Sequence, residues 1–152
     1  MAAPMEPGLS LGLGGESPEG GLLLIADSLE CEGRSLLKSF VTSAALRQEP
    51  VHVFHFEVSE AEFSSGLDDG VRERLQFHDG YSDPLQWDGS GGTLGLDGFT
   101  SRELLARLGP ARGEAPRPCT VALDSLSWIL HRRQAAFLCR VLQDFQRGAV
   151  SA

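Results

Sequence analysis

LLLIADSLECEGRSLLKS, residues Leu22 to Ser39, is the stretch on which the reading of this chain turns. Leu22 to Ala26 is a continuous apolar run bounded by glycine and Asp27, the composition of a strand buried on both faces of a parallel sheet. A tight loop follows. From Arg34 onward Leu36, Leu37, Phe40, Val41, Ala44 and Ala45 recur at steps of three and four, which predicts a helix with one apolar face opposite Lys38 and Arg47. Strand, loop and helix in that order are the setting of a phosphate-binding loop, G-x-x-x-x-G-K-[ST], in which backbone amides and a lysine cradle the phosphates. On that template Ser28 takes the first glycine, Gly33 the second, Arg34 the lysine and Ser35 the hydroxyl. The spacing survives and half the chemistry does not. Glu30 and Glu32 stand inside the loop where a nucleotide's oxygens would lie, and like charges a few ångströms apart repel. Arg34 carries a bulkier, forked head than lysine, and Ser28 lacks a glycine's freedom at positive φ. The expectation is a nucleotide site with its ligand designed out, no bound cofactor, and Gly33 and Ser35 starting a helix.

Outward from this stretch, Pro50 introduces VHVFHF (Val51 to Phe56), a second strand rich in β-branched and aromatic residues. Ser59-Glu60-Ala61-Glu62 is a capping box opening a short helix that ends near Gly66, and Thr100-Ser101-Arg102-Glu103 is another, opening a helix that ends by Gly109. Leu75 to His78 reads as a short third strand. Gly80 to Gly98, with Pro84, Trp87 and a glycine-rich run, reads as a long loop, and Pro110 to Pro118 as a linker. Cys119 to Leu123 is a buried strand, and Trp128 to Phe145 carries the face of one long helix. Strands alternating with helices predict an α/β domain, a parallel sheet flanked by helices. Its expected extent is residues 21–148, with Leu22 to Ile25 at the sheet's centre. Residues 1–20, rich in glycine and proline and poor in large apolar groups, are expected to be a disordered lead, and residues 149–152 a tail.

The strand Val121-Ala122-Leu123-Asp124 has the form of a Walker B element, whose terminal carboxylate helps hold Mg²⁺. An acid there also caps the following helix, which is the commoner use. Loop and strand together suggest P-loop NTPase ancestry of the RecA kind with degenerate Walker motifs. His52 and His55, three apart on a strand, fall on opposite faces, so no metal site is expected from them. No G-x-S-x-G elbow is present, and Ser125 and Ser127 have no partner placed by sequence. Arg132, Arg133, Arg140 and Arg147 give the last helix a basic side, read as its solvated face with a subunit or RNA contact as the alternative, and Trp87 and Trp128 are read as packing anchors.

A chain of 152 residues with 41% hydrophobic residues is the size of one domain with an ordinary core. Its net charge of −8 argues against capture of nucleic acid by this chain alone. Cys31, Cys119 and Cys139 are odd in number and widely spaced, which indicates neither a disulfide framework nor zinc. No targeting or membrane segment is legible, so cytoplasm and nucleus are the expected locations.

Four blocks, DSLECEGRSLLKSFV from Asp27, VHVFHFEVSEAEF from Val51, RLQFHDGYSDPLQW from Arg74 and VALDSLSWIL from Val121, resemble the Elongator complex protein 5 family in the same order. The resemblance runs from about Leu22 to Gln143. It implies a RecA-like fold without working Walker motifs, in a non-catalytic subunit that joins the fourth and sixth Elongator subunits in a hetero-hexameric ring. That assembly contacts tRNA and supports 5-carboxymethyl-type modification of the wobble uridine, U34, while the chemistry itself belongs to another subunit. A divergent RecA-class ATPase using Arg34 and Asp124, and a generic RecA-derived interaction module, are the alternatives. Family members continue well beyond this length, with a strand that enters the sheet between the two Walker strands. The expectation is therefore a C-terminally shortened form with an unpaired sheet edge.

Overall fold

The computed structural model of the chain describes residues 21–89, 92–95, 97–109 and 119–151. The stretches read as a lead (1–20) and as the linker (110–118) lie outside these described residues. Helix α1 spans Arg34–Leu46, strand β1 Val51–His55, helix α2 Glu60–Ser64 and helix α3 Asp69–Arg72. Strand β2 spans Leu75–Asp79, helix α4 Ser101–Arg107, strand β3 Thr120–Leu123, helix α5 Ser127–Leu130 and helix α6 Ala135–Ser151.

The three strands form a parallel sheet in the order β2-β1-β3. Val51 pairs with Leu75 on one side and with Thr120 on the other, so the register runs from Val51↔Leu75 to His55↔Asp79 and from Val51↔Thr120 to Phe54↔Leu123. Every residue of β1 is buried. The pleat divides them: Val51 and Val53 join Val41, Ala44 and Ala45 of α1, with Phe63, Val71 and Leu75, in one apolar cluster. Phe54 joins Phe56, Leu94, Phe99, Leu104, Ile129, Leu138 and Val141 in the second. Two layers of helix on a parallel sheet make this an α/β fold, as the alternation of periods predicts.

Local signals explain the element boundaries. The Ser59 hydroxyl accepts a hydrogen bond from the Glu62 amide and the Thr100 hydroxyl one from the Glu103 amide, both at 3.2 Å, so each opens its helix as an N-cap. Helix α1 closes at Gln48, which takes a left-handed conformation (φ 63°) while the Gln48 and Glu49 amides donate to the Ala45 and Ala44 carbonyls.

Three expectations are corrected. Leu22 to Ala26 is neither a strand nor the centre of the sheet: β1 holds the centre, and Leu22 and Leu24 are 66% and 70% exposed. An apolar run becomes a strand only where a neighbour takes its amides and carbonyls, and among the described residues this run has none. The helix expected over Trp128 to Phe145 is two helices, α5 and α6, with a turn at residues 131–134. Ile129 and Leu138 are nine positions apart, which on one continuous helix would set them on opposite faces at 100° per residue. The turn lets both enter the same cluster. Helix α6 also runs on to Ser151, taking in most of the stretch read as a tail.

The first correction has a measurable consequence. Leu24→Ser should change unfolding free energy by less than about 0.5 kcal/mol, as at an uncommitted surface position. Leu104→Ala, at a site 1% exposed, should cost about 3 kcal/mol by leaving a core cavity. Urea denaturation of the two variants checks the contrast; a large loss for Leu24→Ser would restore the strand.

Candidate functional site

In a parallel sheet ligands collect beyond the carboxyl ends of the strands; Asp124 directly follows β3, while Ser28 to Ser35 precede and open α1 and reach the segment after β1 through the Arg34–Glu62 pair. Ser28 and Cys31 form a small antiparallel bridge, each amide donating to the other's carbonyl at 3.1 Å, so that Leu29 and Glu30 make a tight turn. The turn brings Asp27 back to the start of α1, where its carboxylate accepts the Gly33 amide at 3.1 Å. Gly33 has ordinary right-handed torsions and no side-chain cap of its own. Free amides at a helix N-terminus are where a phosphate would sit; here one of them already serves an internal anion. Gly33 is also a point of close approach, since a Cβ on it would lie 2.8 Å from the Ile25 Cγ2.

Arg34, in the lysine position, is equally committed. Its guanidinium lies 3.2 Å from Glu32 and 3.3 Å from Glu62 of α2. Glu62 therefore faces the arginine, where a reciprocal capping box would turn it back toward the Ser59 amide. Ser35 is exposed, and its carbonyl accepts the Ser39 hydroxyl at 3.0 Å. At two of these positions, the Gly33 amide and the Arg34 guanidinium, internal carboxylates occupy the group with which a phosphate would pair.

Asp124 follows β3, and its carboxylate turns across the rim to the chain leaving β1. One oxygen accepts the Phe56 amide at 2.8 Å; the other accepts the Glu57 and Val58 amides at 3.0 and 3.3 Å. The Asp124 amide donates in turn to the Phe54 carbonyl. Burial pushes this carboxyl above the ordinary range, against the pull of the three amides and of nearby His55. Asp124 is thus a cap, though for the β1–α2 connection rather than for the helix that follows it. Asp79, ending β2, behaves alike: its carboxylate accepts the Tyr81 and Ser82 amides at 2.8 and 2.9 Å.

The histidines divide across the sheet as their spacing requires. His55 Nδ1 lies 3.0 Å from the Val58 carbonyl oxygen, an N–H donor to it. His52 shares the other face with Phe54 and with His78 of β2, its Nδ1 2.9 Å from His78 Nε2. The His78 ring stacks on Phe54 at 4.4 Å. Burial lowers the pKa of His52, and burial together with His52, Arg107 and His55 lowers that of His78 to about 4. Trp128 is a packing anchor, stacked on Phe56 at 5.5 Å, with the Arg132 guanidinium over its ring at 4.8 Å from the ring centre. Trp87 is not one: it is 85% exposed.

With this geometry in place, comparison with known proteins becomes specific. The chain is 45% identical over 123 residues to human Elongator complex protein 5, an alignment covering 81% of this chain and 39% of that protein. The rat protein of the same name is 43% identical over 131 residues and the zebrafish one 36% over 132, covering 86% of this chain and 40% and 43% of theirs. The chain is a relative of Elongator complex protein 5. It spans about two fifths of the length of the curated Elongator complex protein 5 relatives it matches. No protein-family model and no solved structure matches it.

Sequence reading singled out Ser28, Gly33, Arg34, Ser35 and Asp124 but not the groups that they meet, and the loop and Asp124 make their contacts separately. Nothing in the loop pattern marks Asp27, six positions before Gly33, as the group that takes the helix amide. The three amides held by Asp124 lie 66 to 68 positions away in sequence, beyond any local signal.

Asp124→Ala should cost about 3 kcal/mol of stability, because it strips a charged acceptor from three amides at a partly buried turn. Asp124→Asn, keeping one acceptor oxygen, should cost less; guanidinium denaturation at pH 7 measures both. The histidine pair makes a second prediction. Its folded-state pKa values lie below the unfolded one, so the unfolded chain binds more protons on acidification. This contribution is complete above about pH 6.5 and is lost as pH falls toward 4. His78→Gln should flatten the fall of the denaturation midpoint across that window.

Proposed function

We propose that this chain acts as a non-catalytic subunit of the Elongator complex, working by assembly with other subunits rather than by turnover. The observation that carries the reading is the similarity to Elongator complex protein 5 over 81 to 86% of the chain. The loop supports the non-catalytic half of it: Asp27 takes the Gly33 amide and Glu32 and Glu62 take Arg34, so a nucleotide would have to displace three internal carboxylates. A parallel sheet with this order of elements is compatible with a RecA-derived layer in which Ser28, Gly33, Arg34, Ser35 and Asp124 keep the Walker positions and have lost their ligands.

In this reading the partners are the other Elongator subunits. The fourth and sixth join the chain in a hetero-hexameric accessory ring, and tRNA is met through the assembled ring, since a chain of net charge −8 is poorly suited to hold it alone. The function served is 5-carboxymethyl-type modification of the wobble uridine U34, in the cytoplasm and the nucleus, with no cofactor held by this chain.

Two measurements test it. Calorimetric titration of the chain with Mg-ATP should give no binding heat, and tRNA from cells lacking the protein should carry less U34 modification. Saturable nucleotide binding with turnover would replace the subunit by a divergent ATPase, and unchanged U34 modification would remove the Elongator role.

A further inference from the structure

The loop between β2 and α4 is long, yet it is held by its own bonds. The Asp83 carboxylate accepts the Trp87 and Asp88 amides at 2.9 and 3.1 Å. The Gln86 backbone is left-handed (φ 55°), and its side-chain amide donates to the Thr93 carbonyl at 3.2 Å. The Gln86 side chain also lies over Gly95, where a Cβ would stand 2.7 Å from its Cδ. Leu94, 1% exposed, anchors the return by donating its amide to the Asp79 carbonyl. A loop fixed at this many points can hide its large side chains. This one presents Tyr81, Leu85 and Trp87 at 45%, 51% and 85% exposure.

Beside them the loop and the α5–α6 turn enclose a cleft of ≈ 180 Å³ lined by Pro84, Leu85, Gln86, Asp97, Arg132 and Arg133. Arg133 is paired with Asp97 at 2.9 Å. The Arg132 guanidinium lies on the Trp128 ring, and among the described residues it has no carboxylate partner. An exposed arginine held flat on an aromatic ring keeps its donor edge free for an incoming acid. Large apolar side chains and an available arginine, presented without an ordering cost, are the composition of an interface centre.

We propose that Leu85, Trp87 and Arg132 form a docking surface for a protein segment that carries a carboxylate next to a large apolar side chain. The apolar group enters between Leu85 and Pro84, and the carboxylate meets Arg132. This rests on the reading of the chain as an assembling subunit and names the surface it uses. Nucleic acid fits the same surface less well, because Asp97 lines the cleft beside the arginines and would face phosphates.

The test is co-expression of the full chain, tagged, with the other Elongator subunits, comparing wild type with Trp87→Ser, Leu85→Ser and Arg132→Glu. Wild type should recover the subunits. Trp87→Ser and Arg132→Glu should each lower recovery roughly tenfold or more, as loss of an interface anchor does, while Arg132→Lys retains part of it and thermal unfolding of all variants stays as in wild type. Equal recovery by wild type and variants overturns the docking surface and leaves the proposed function standing. No recovery by wild type overturns both. Loss of tRNA binding, in a gel-shift assay with purified tRNA, by variants that still recover the subunits would replace the protein ligand by RNA.

Discussion

Asp124 ties the two ends of this fold together. Its carboxylate bridges from the end of β3 to three successive amides leaving β1, fixing where the central strand stops and how the chain turns into α2. A carboxylate taken out of water is costly unless its lone pairs are filled, and the three amides fill them. The same bonds give partners to the partly buried Phe56 and Val58 amides at the carboxyl end of a parallel sheet. Phe56, whose amide is the first of the three, can then stack on Trp128 and meet Phe99 edge to face. Packing on the α4–α6 side thus depends on a polar contact at the rim.

The same economy of charge runs through the loop at the start of α1. A working phosphate loop leaves its helix amides and its cation uncommitted until the ligand arrives. In this relative of Elongator complex protein 5 they are spent internally, on Asp27 and on two glutamates. The result is a loop whose bonds fasten α1 to its own lead-in segment and to α2.

Much of the architecture was legible in the residues because it follows from period. The three- and four-step recurrence after Arg34, the β-branched run at Val51 and the short runs at Leu75 and Thr120 each sit where the helix and strands form. Errors arose where a local pattern was asked to report a nonlocal partner. Leu22 to Ala26 has the composition of a buried strand, but composition does not supply a neighbouring strand. The turn after Leu130 contains neither glycine nor proline, and only the shared core of Ile129 and Leu138 requires it. Trp87 was read from its size as an anchor, whereas the bonds of Asp83 and Gln86 hold its backbone in place and leave the ring in solvent. At the site, the residue types were visible and most partners were not, since Glu62 reaches Arg34 and Asp124 reaches its three amides only through the fold.

The order β2-β1-β3 also sets how the chain can reach this state. Strand β1 must close against Leu75, 24 positions after Val51, and against Thr120, 69 positions after it. The longer closure costs about 0.9 kcal/mol more in chain entropy than the shorter one. Pairing of β1 with β2 is therefore the less costly of the two closures. Because Asp124 travels with β3, the turn after β1 receives its carboxylate only when the longer closure is made, so the shorter pairing alone cannot complete the rim.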